Sequence, residues 1–114
     1  MCKKLAREGF NICIVSRNED KINTKLEEIR KECRDGDPTF MTLCITADFW
    51  QLKSIEDYRK VVAEKVEHLD VAVLALNAGF VQIGPMIDIR DDEIEKMVQV
   101  NANHVIYLAK ALLD

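Results

Sequence analysis

The chain has 114 residues, 48% hydrophobic and 32% charged, enough apolar material for one compact domain and not for two, which argues against a multidomain enzyme. Sixteen Lys and Arg against twenty Asp and Glu give a net charge of -4 with the signs interspersed, so no basic block invites nucleic acid. The longest apolar run, Val71 to Leu76, is far short of the roughly 20 residues that span a bilayer, and Met1 leads into charged sequence; a soluble intracellular chain is expected.

From Met1 to Glu8 the pattern is that of the last turns of a helix, with Leu5 as its apolar contact and Gly9 at a left-handed stop. Phe10 to Val15 is apolar and β-branched apart from Asn11, as in a strand buried on both faces. A helix follows over about Glu19 to Arg34, capped by Asn18, with Ile22, Leu26, Ile29 and Cys33 on one face, and Asp35-Gly36-Asp37-Pro38 ends it. Phe40 to Ala47 is a second strand. Ser54 caps a second helix striped by Ile55, Tyr58, Val62, Val66 and Leu69. Asp70 to Leu76 reads as a third strand, and a last helix, Asp91 to Leu113, carries Ile94, Met97, Val98, Val105, Leu108, Ala109 and Leu112 on its inner face. Strict alternation of helix and strand implies right-handed crossovers and a doubly wound α/β architecture: a parallel sheet covered on both sides.

Cys2, Cys13, Cys33 and Cys44 form no C-x-x-C pair and have no His at zinc spacing, so no metal site is signalled and buried thiols acting as small hydrophobes are expected. The isolated His68 and His104 read the same way. In a parallel sheet ligands gather at the carboxyl ends of strands, and the loops there carry the candidate residues. Ser16 and Arg17 follow the first strand, where a guanidinium suits a cofactor 2'-phosphate better than a ribose hydroxyl; a solvated loop arginine is the alternative. Asp48 closes the second strand ahead of Phe49 and Trp50, as a ligand-edge carboxylate or as an Asx turn. Asn77-Ala78-Gly79 closes the third, its small residues allowing a ligand close to the backbone. Asn101 falls inside the apolar stripe of the last helix, where a buried amide must bond a neighbouring strand or loop, or organise water at a site.

In this order, these segments resemble the short-chain dehydrogenase/reductase family over nearly the whole chain. Leu5 to Phe10 resembles the end of the family's first helix entering its second strand, Asp48 its adenine-contacting acid, Asn77-Ala78-Gly79 the end of its N-N-A-G motif, and Asn101 the asparagine of its catalytic tetrad. Gly9 to Lys21, Ala47-Asp48-Phe49 and Leu69 to Leu74 look most like the branch of 17β-hydroxysteroid dehydrogenases and very-long-chain 3-oxoacyl-CoA reductases. The resemblance implies a Rossmann-type sheet and NADP(H)-dependent reduction of a carbonyl on a fatty acyl or steroid substrate. It also implies cofactor contacts at Ser16, Arg17, Asp48, Asn77, Ala78 and Gly79, and a catalytic part for Asn101.

The chain departs from that pattern in several places. Leu76 stands where the first Asn of N-N-A-G is expected. The glycine-rich turn with the strand before it would precede Met1, and the Ser and Tyr-x-x-x-Lys would follow Asp114. Tyr107 and Lys110 are three apart, and the serines, Ser16 and Ser54, lie in earlier segments. The expectation is therefore a partial NADP-binding Rossmann domain over residues 1–114, lacking the first strand and those after the fourth, and inactive alone. The alternative is a non-catalytic binding or regulatory module, pairing with itself or with an intact relative through residues 91–113. Another Rossmann-like domain, such as a flavodoxin-type receiver or a methyltransferase, is a third reading. Intact members of the suspected branch reside in the endoplasmic reticulum membrane.

Overall fold

The computed structural model describes residues 1–113 and forms two compact units, one ending at Ala47 and one beginning at Asp48. In the first, α1 (Cys2–Arg7) leads through Gly9, at φ 98°, into β1 (Ile12–Ser16). Only glycine takes that backbone conformation without strain, so the chain turns here as the sequence predicts. α2 (Glu19–Cys33) is capped by Asn18, whose side chain accepts the Lys21 N–H at 2.9 Å. β2 (Thr42–Thr46) then pairs parallel with β1, Ile12 opposite Thr42 and Ser16 opposite Thr46.

Ile22, Leu26 and Ile29 of α2 pack with Ala6, Ile12 and Phe40, and with the half-buried Ile14 and Cys44. By register Ile14 and Cys44 share a face of the ladder, so in this unit both helices cover that one face. Cys13, on the other face, is exposed, and Cys2, Cys33 and Cys44 are half-buried. The expected two-sided burial of the first strand and of the thiols is thereby corrected. A two-stranded ladder flanked by helices whose apolar stripes point to the same side leaves its other side without a layer in this unit.

The α2–β2 turn is tied by two arginines. Arg30 donates to the Phe40 carbonyl at 2.8 Å, and both Arg30 and Arg34 lie about 5 Å from the Phe40 ring centre. Arg34 also reaches the Ala6 carbonyl at 3.1 Å and the Asp37 carboxylate at 2.7 Å. Thr39 donates to Asp37 from its hydroxyl at 2.6 Å and from its N–H at 2.8 Å.

In the second unit Ser54 and Asp57 form a capping box for α3, which runs as Ile55–Tyr58, a π-helical turn Arg59–Ala63, and Glu64–Val66. α4 runs as Asp91–Val98, a second π turn Gln99–Asn103, and His104–Leu113. Phe49, Tyr58, Val62, Val66, Val100, His104, Leu108 and Ala111 are buried. The predicted α3 stripe holds at Tyr58, Val62 and Val66, while Leu69 and His68 are exposed.

Two expectations fail here. Residues 70–76 form no strand: the sheet among the described residues is β1 and β2 alone, and Val71 and Val73 are about half exposed. A strand exists only with a hydrogen-bonded neighbour, and no described segment offers one to this run. The buried stripe of α4 is also rotated. Gln99, Val100, His104, Leu108 and Ala111 face inward, whereas Val98 and Asn101 are exposed and Ile94, Met97, Val105, Ala109 and Leu112 are half-buried.

The turn that accompanies this rotation can be followed atom by atom. The His104 N–H bonds the Gln99 carbonyl, five residues back, leaving the Val100 carbonyl for the His104 ring, whose Nδ1 is 2.6 Å away. That carbonyl can only accept, so Nδ1 carries the proton. The Gln99 amide donates to the Leu52 carbonyl at 2.5 Å and accepts from Asn103 at 3.0 Å. Polar residues thus sit inward with their bonds made, a solution that hydropathy alone rejects.

The Asp37 cluster generates a pH prediction. Bonds from Thr39, and then Arg34, hold the Asp37 carboxyl down at about 2 from 3.8. A lowered folded-state pKa stabilises above the unfolded value, so the contribution is complete above about pH 4 and is lost as pH falls through about 2. Urea midpoints measured from pH 5 to 2 should fall less steeply for Asp37→Asn than for the wild type. Glu28, held down at about 2 by Lys25 and Lys3, leaves a residual slope in the same window. Equal slopes would contradict the assignment.

Candidate functional site

At the carboxyl end of β1, Ser16 and Arg17 are exposed. The next residue, Asn18, caps α2, so Arg17 directly precedes the electropositive start of a 15-residue helix. No ion pair or hydrogen bond occupies the Arg17 side chain among the described residues. The position combines a planar multidentate donor with helix N–H groups, the chemistry that receives a phosphate.

In the second unit the Asp48 carboxylate accepts the Trp50 N–H at 3.0 Å through Oδ1. This is the Asx turn foreseen as the alternative, and it fixes the carboxylate at the start of the unit while one of its two oxygens makes that bond. Asn77, Ala78 and Gly79 are exposed. A Cβ built on Gly79 would lie 3.4 Å from Asn101 Oδ1, ordinary contact distance, so the space on that side does not itself demand glycine.

Asn101 is the best-defined candidate. It lies on the π turn of α4, and its side-chain amide pairs with the main chain of Phe80 at both groups: Phe80 N–H to Oδ1 at 2.8 Å, and Nδ2–H to the Phe80 carbonyl at 2.7 Å. The amide therefore acts as a one-residue strand. Of the two uses foreseen for it, bonding a neighbouring loop is the one realised, from an exposed position. Lys96 sits 4.5 Å over the Phe80 ring, and the Gln82 N–H points at Met97 Sδ at 3.4 Å. Three residues of α4 thus hold the segment that continues from Asn77-Ala78-Gly79.

Phe80, Lys96, Met97, Gln99 and His104 were not distinguished as a set by sequence reasoning. The available signal was the spacing of Val100, His104, Leu108 and Ala111 at four, four and three, which brings a histidine into an otherwise apolar row. Tyr58 is fully buried and its hydroxyl has no hydrogen-bond partner, the adjacent Gln99 amide being committed to Leu52; burial pushes its pKa up to about 12. Tyr107 packs edge-on against Tyr58 at 6.1 Å, as a core contact. A shallow cleft of about 350 Å³ between Trp50, Lys53, Ile94, Glu95, Val98, Gln99 and Asn103 contains none of the predicted site residues. Among the described residues no cluster of His, Cys, Asp and Glu could hold a metal, and no helix is long and apolar enough to cross a membrane.

Removing the Asn101 amide should release Phe80. Each of the two hydrogen bonds is worth roughly 0.5–1.5 kcal/mol, so amide exchange at Phe80 should speed up about five- to hundredfold in Asn101→Ala while His104 and Leu108 keep their protection. Unchanged exchange at Phe80 would contradict the clamp.

The family model for short chain dehydrogenases matches residues 1–114. A very-long-chain 3-oxoacyl-CoA reductase of Coccidioides immitis is 27% identical over 100 residues, an alignment covering 86% of this chain and 27% of the reductase. The chain thus spans about a quarter of that relative. Among solved structures, one described for 7β-hydroxysteroid dehydrogenase stereoselectivity superposes with a TM-score of 0.81 at 27% identity, over 98% of this chain and 41% of the other. An alcohol dehydrogenase of the archaeon Thermococcus sibiricus, complexed with 5-hydroxy-NADP, superposes with a TM-score of 0.80 at 23% identity, over 98% and 45%. These likenesses show a Rossmann-type α/β fold, of which this chain forms the parallel β1–β2 pair and its helices.

Proposed function

Because the chain belongs to the short-chain dehydrogenase family, we propose that it forms the cofactor-binding side of an NADP(H)-dependent carbonyl reductase acting on a fatty acyl or steroid substrate. The observation that carries this reading is Arg17: an exposed guanidinium with no partner among the described residues, at a strand's carboxyl end and beside a capped helix start. That donor set fits a 2'-phosphate, and a structural role for the side chain would call for a partner. Ser16 adds a hydroxyl there. Asp48 would accept from the adenine moiety with an oxygen outside its Asx turn, and Asn77, Ala78 and Gly79 would line the dinucleotide with exposed main chain.

Bound NADPH supplies hydride. The part of this chain's residues is to orient: Asn101 fixes the Phe80 main chain and so sets the course of the segment leaving Gly79. We assign Asn101 as a positioning residue on this ground, and its catalytic share as a tetrad member belongs to the same proposal. Acyl and steroid substrates are both large and apolar, and they enter the proposal from the relatives' own names.

The 114 residues hold no Tyr-x-x-x-Lys, and their serines lie at positions 16 and 54. The chain by itself should therefore show no NADPH oxidation with 3-oxoacyl-CoA or steroid ketones, and any dinucleotide affinity should be weak and favour NADP over NAD. Calorimetric titration of both nucleotides against the wild type and Arg17→Asp tests this. The variant should lose the preference. Tighter binding of NAD than of NADP by the wild type, or turnover abolished by a substitution in this chain, would overturn the reading.

A further inference from the structure

The turn between α2 and β2 begins Asp35-Gly36, where aspartate is followed by glycine; no other Asp or Asn in the sequence is. Both residues are exposed, and the Asp37 N–H closes the turn on the Arg34 carbonyl at 3.1 Å. Among the described residues the Asp35 carboxylate, the Asp35 carbonyl and the Gly36 N–H have no hydrogen-bond or ion-pair partner. Gly36 takes a φ of 70°, and a Cβ built on it would meet nothing within 4 Å. Glycine accepts either sign of φ, so the peptide plane joining Asp35 to Gly36 can turn over while the Asp37 N–H stays on Arg34. A carboxyl carbon thus stands next to an uncommitted main-chain nitrogen, with no side chain on the following residue to obstruct a five-membered ring.

Other aspartates are held back. Asp37 precedes proline, which has no N–H, and accepts from Arg34 and Thr39. Asp48 is engaged in its Asx turn and Asp57 in the capping box. Asp20, Asp91 and Asp92 lie in the first turns of helices, and closing the ring requires a rotation about the Cα–C bond that a helix fixes. Asp70 and Asp88 precede Val71 and Ile89, whose β-branched side chains crowd the attacking nitrogen.

We propose that Asp35-Gly36 is a site of isoaspartate formation in the folded chain. The Gly36 nitrogen attacks Asp35 Cγ; the new C–N bond forms as the Cγ–OH bond breaks, and the nitrogen's proton leaves with that hydroxyl as water. Water then opens the succinimide at either carbonyl. Opening at Cγ restores aspartate. Opening at the Asp35 main-chain carbonyl breaks the original peptide bond, so the backbone runs through Cβ and Cγ and a free α-carboxylate is left. Nothing is oxidised or reduced, and the one co-reactant is water. The added methylene falls between Arg34 and Asp37, whose ion pair is 2.7 Å long, and Arg34 also ties α2 to α1 through the Ala6 carbonyl. The site is remote in sequence from the proposed cofactor residues and does not depend on the cofactor reading.

The test uses the full chain, kept folded at neutral pH in water enriched in oxygen-18. Each passage through the succinimide places one heavy oxygen on residue 35, and electron-transfer fragmentation separates isoaspartate from aspartate and assigns the residue. Heavy oxygen and isoaspartate should accumulate at Asp35 ahead of every other aspartate. Both should fall at least about tenfold in Asp35→Glu, whose ring would need six members and one more rotor. No label at residue 35, equal labelling of all aspartates, a label unchanged in Asp35→Glu, or labelling of residue 35 only when urea unfolds the chain would overturn the proposal.

Discussion

The order of the second unit turns on where one backbone N–H finds its acceptor. His104 reaches back five residues to Gln99, and the Val100 carbonyl so released is taken by the His104 ring. That bond keeps the imidazole buried, stacked 4.4 Å from Phe49, which in turn stacks on Tyr58. With the inward row running through Val100 and His104, Asn101 stands at the rim, where its amide can read the Phe80 main chain. A regular α-helix with the predicted stripe would turn Asn101 into the core and forfeit that grip.

The elements whose cues are local were legible in the sequence. Asn18, Ser54 and Gly9 each act within a few residues, and the structure places a helix cap, a capping box and a left-handed turn at those positions. The stripe of α2, and that of α3 as far as Val66, follow from period alone, while Leu69 lies exposed beyond the helix. Residues 70–76 were misread because an apolar β-branched run records a preference, whereas a ladder needs a neighbour that the run cannot specify. The α4 stripe was misplaced because ranking by hydropathy prefers Val98 and Val105 to Gln99 and His104. Bonds to Leu52, Asn103 and Val100 offset the cost of burying the two polar side chains.

The candidate residues were chosen by position, not by geometry. Arg17, Asp48 and Asn77 to Gly79 were singled out by predicted strand ends; Arg17 and Asn77 to Gly79 are exposed and Asp48 is half-buried, and with no strand over residues 70–76 the last three follow no strand end. The partners that give the site its shape were not visible, since Phe80, Lys96 and Met97 acquire a role only when a loop crosses a helix. Asn101 joins the two kinds of information: it was singled out by its place in the apolar stripe and by a resemblance to the family motif, and its use as a main-chain clamp follows from the structure.

The central proposal is that the loop after β1 receives the 2'-phosphate of a dinucleotide. Backbone amide spectra recorded through titrations with NADPH and with NADH test it most directly. With NADPH the Arg17 and Asn18 amides should move most, accompanied by Asn77 to Gly79; with NADH the latter should move while Arg17 and Asn18 stay close to their free positions. Shifts confined to the outer faces of α2 and α4, or identical maps for the two nucleotides, would contradict the account.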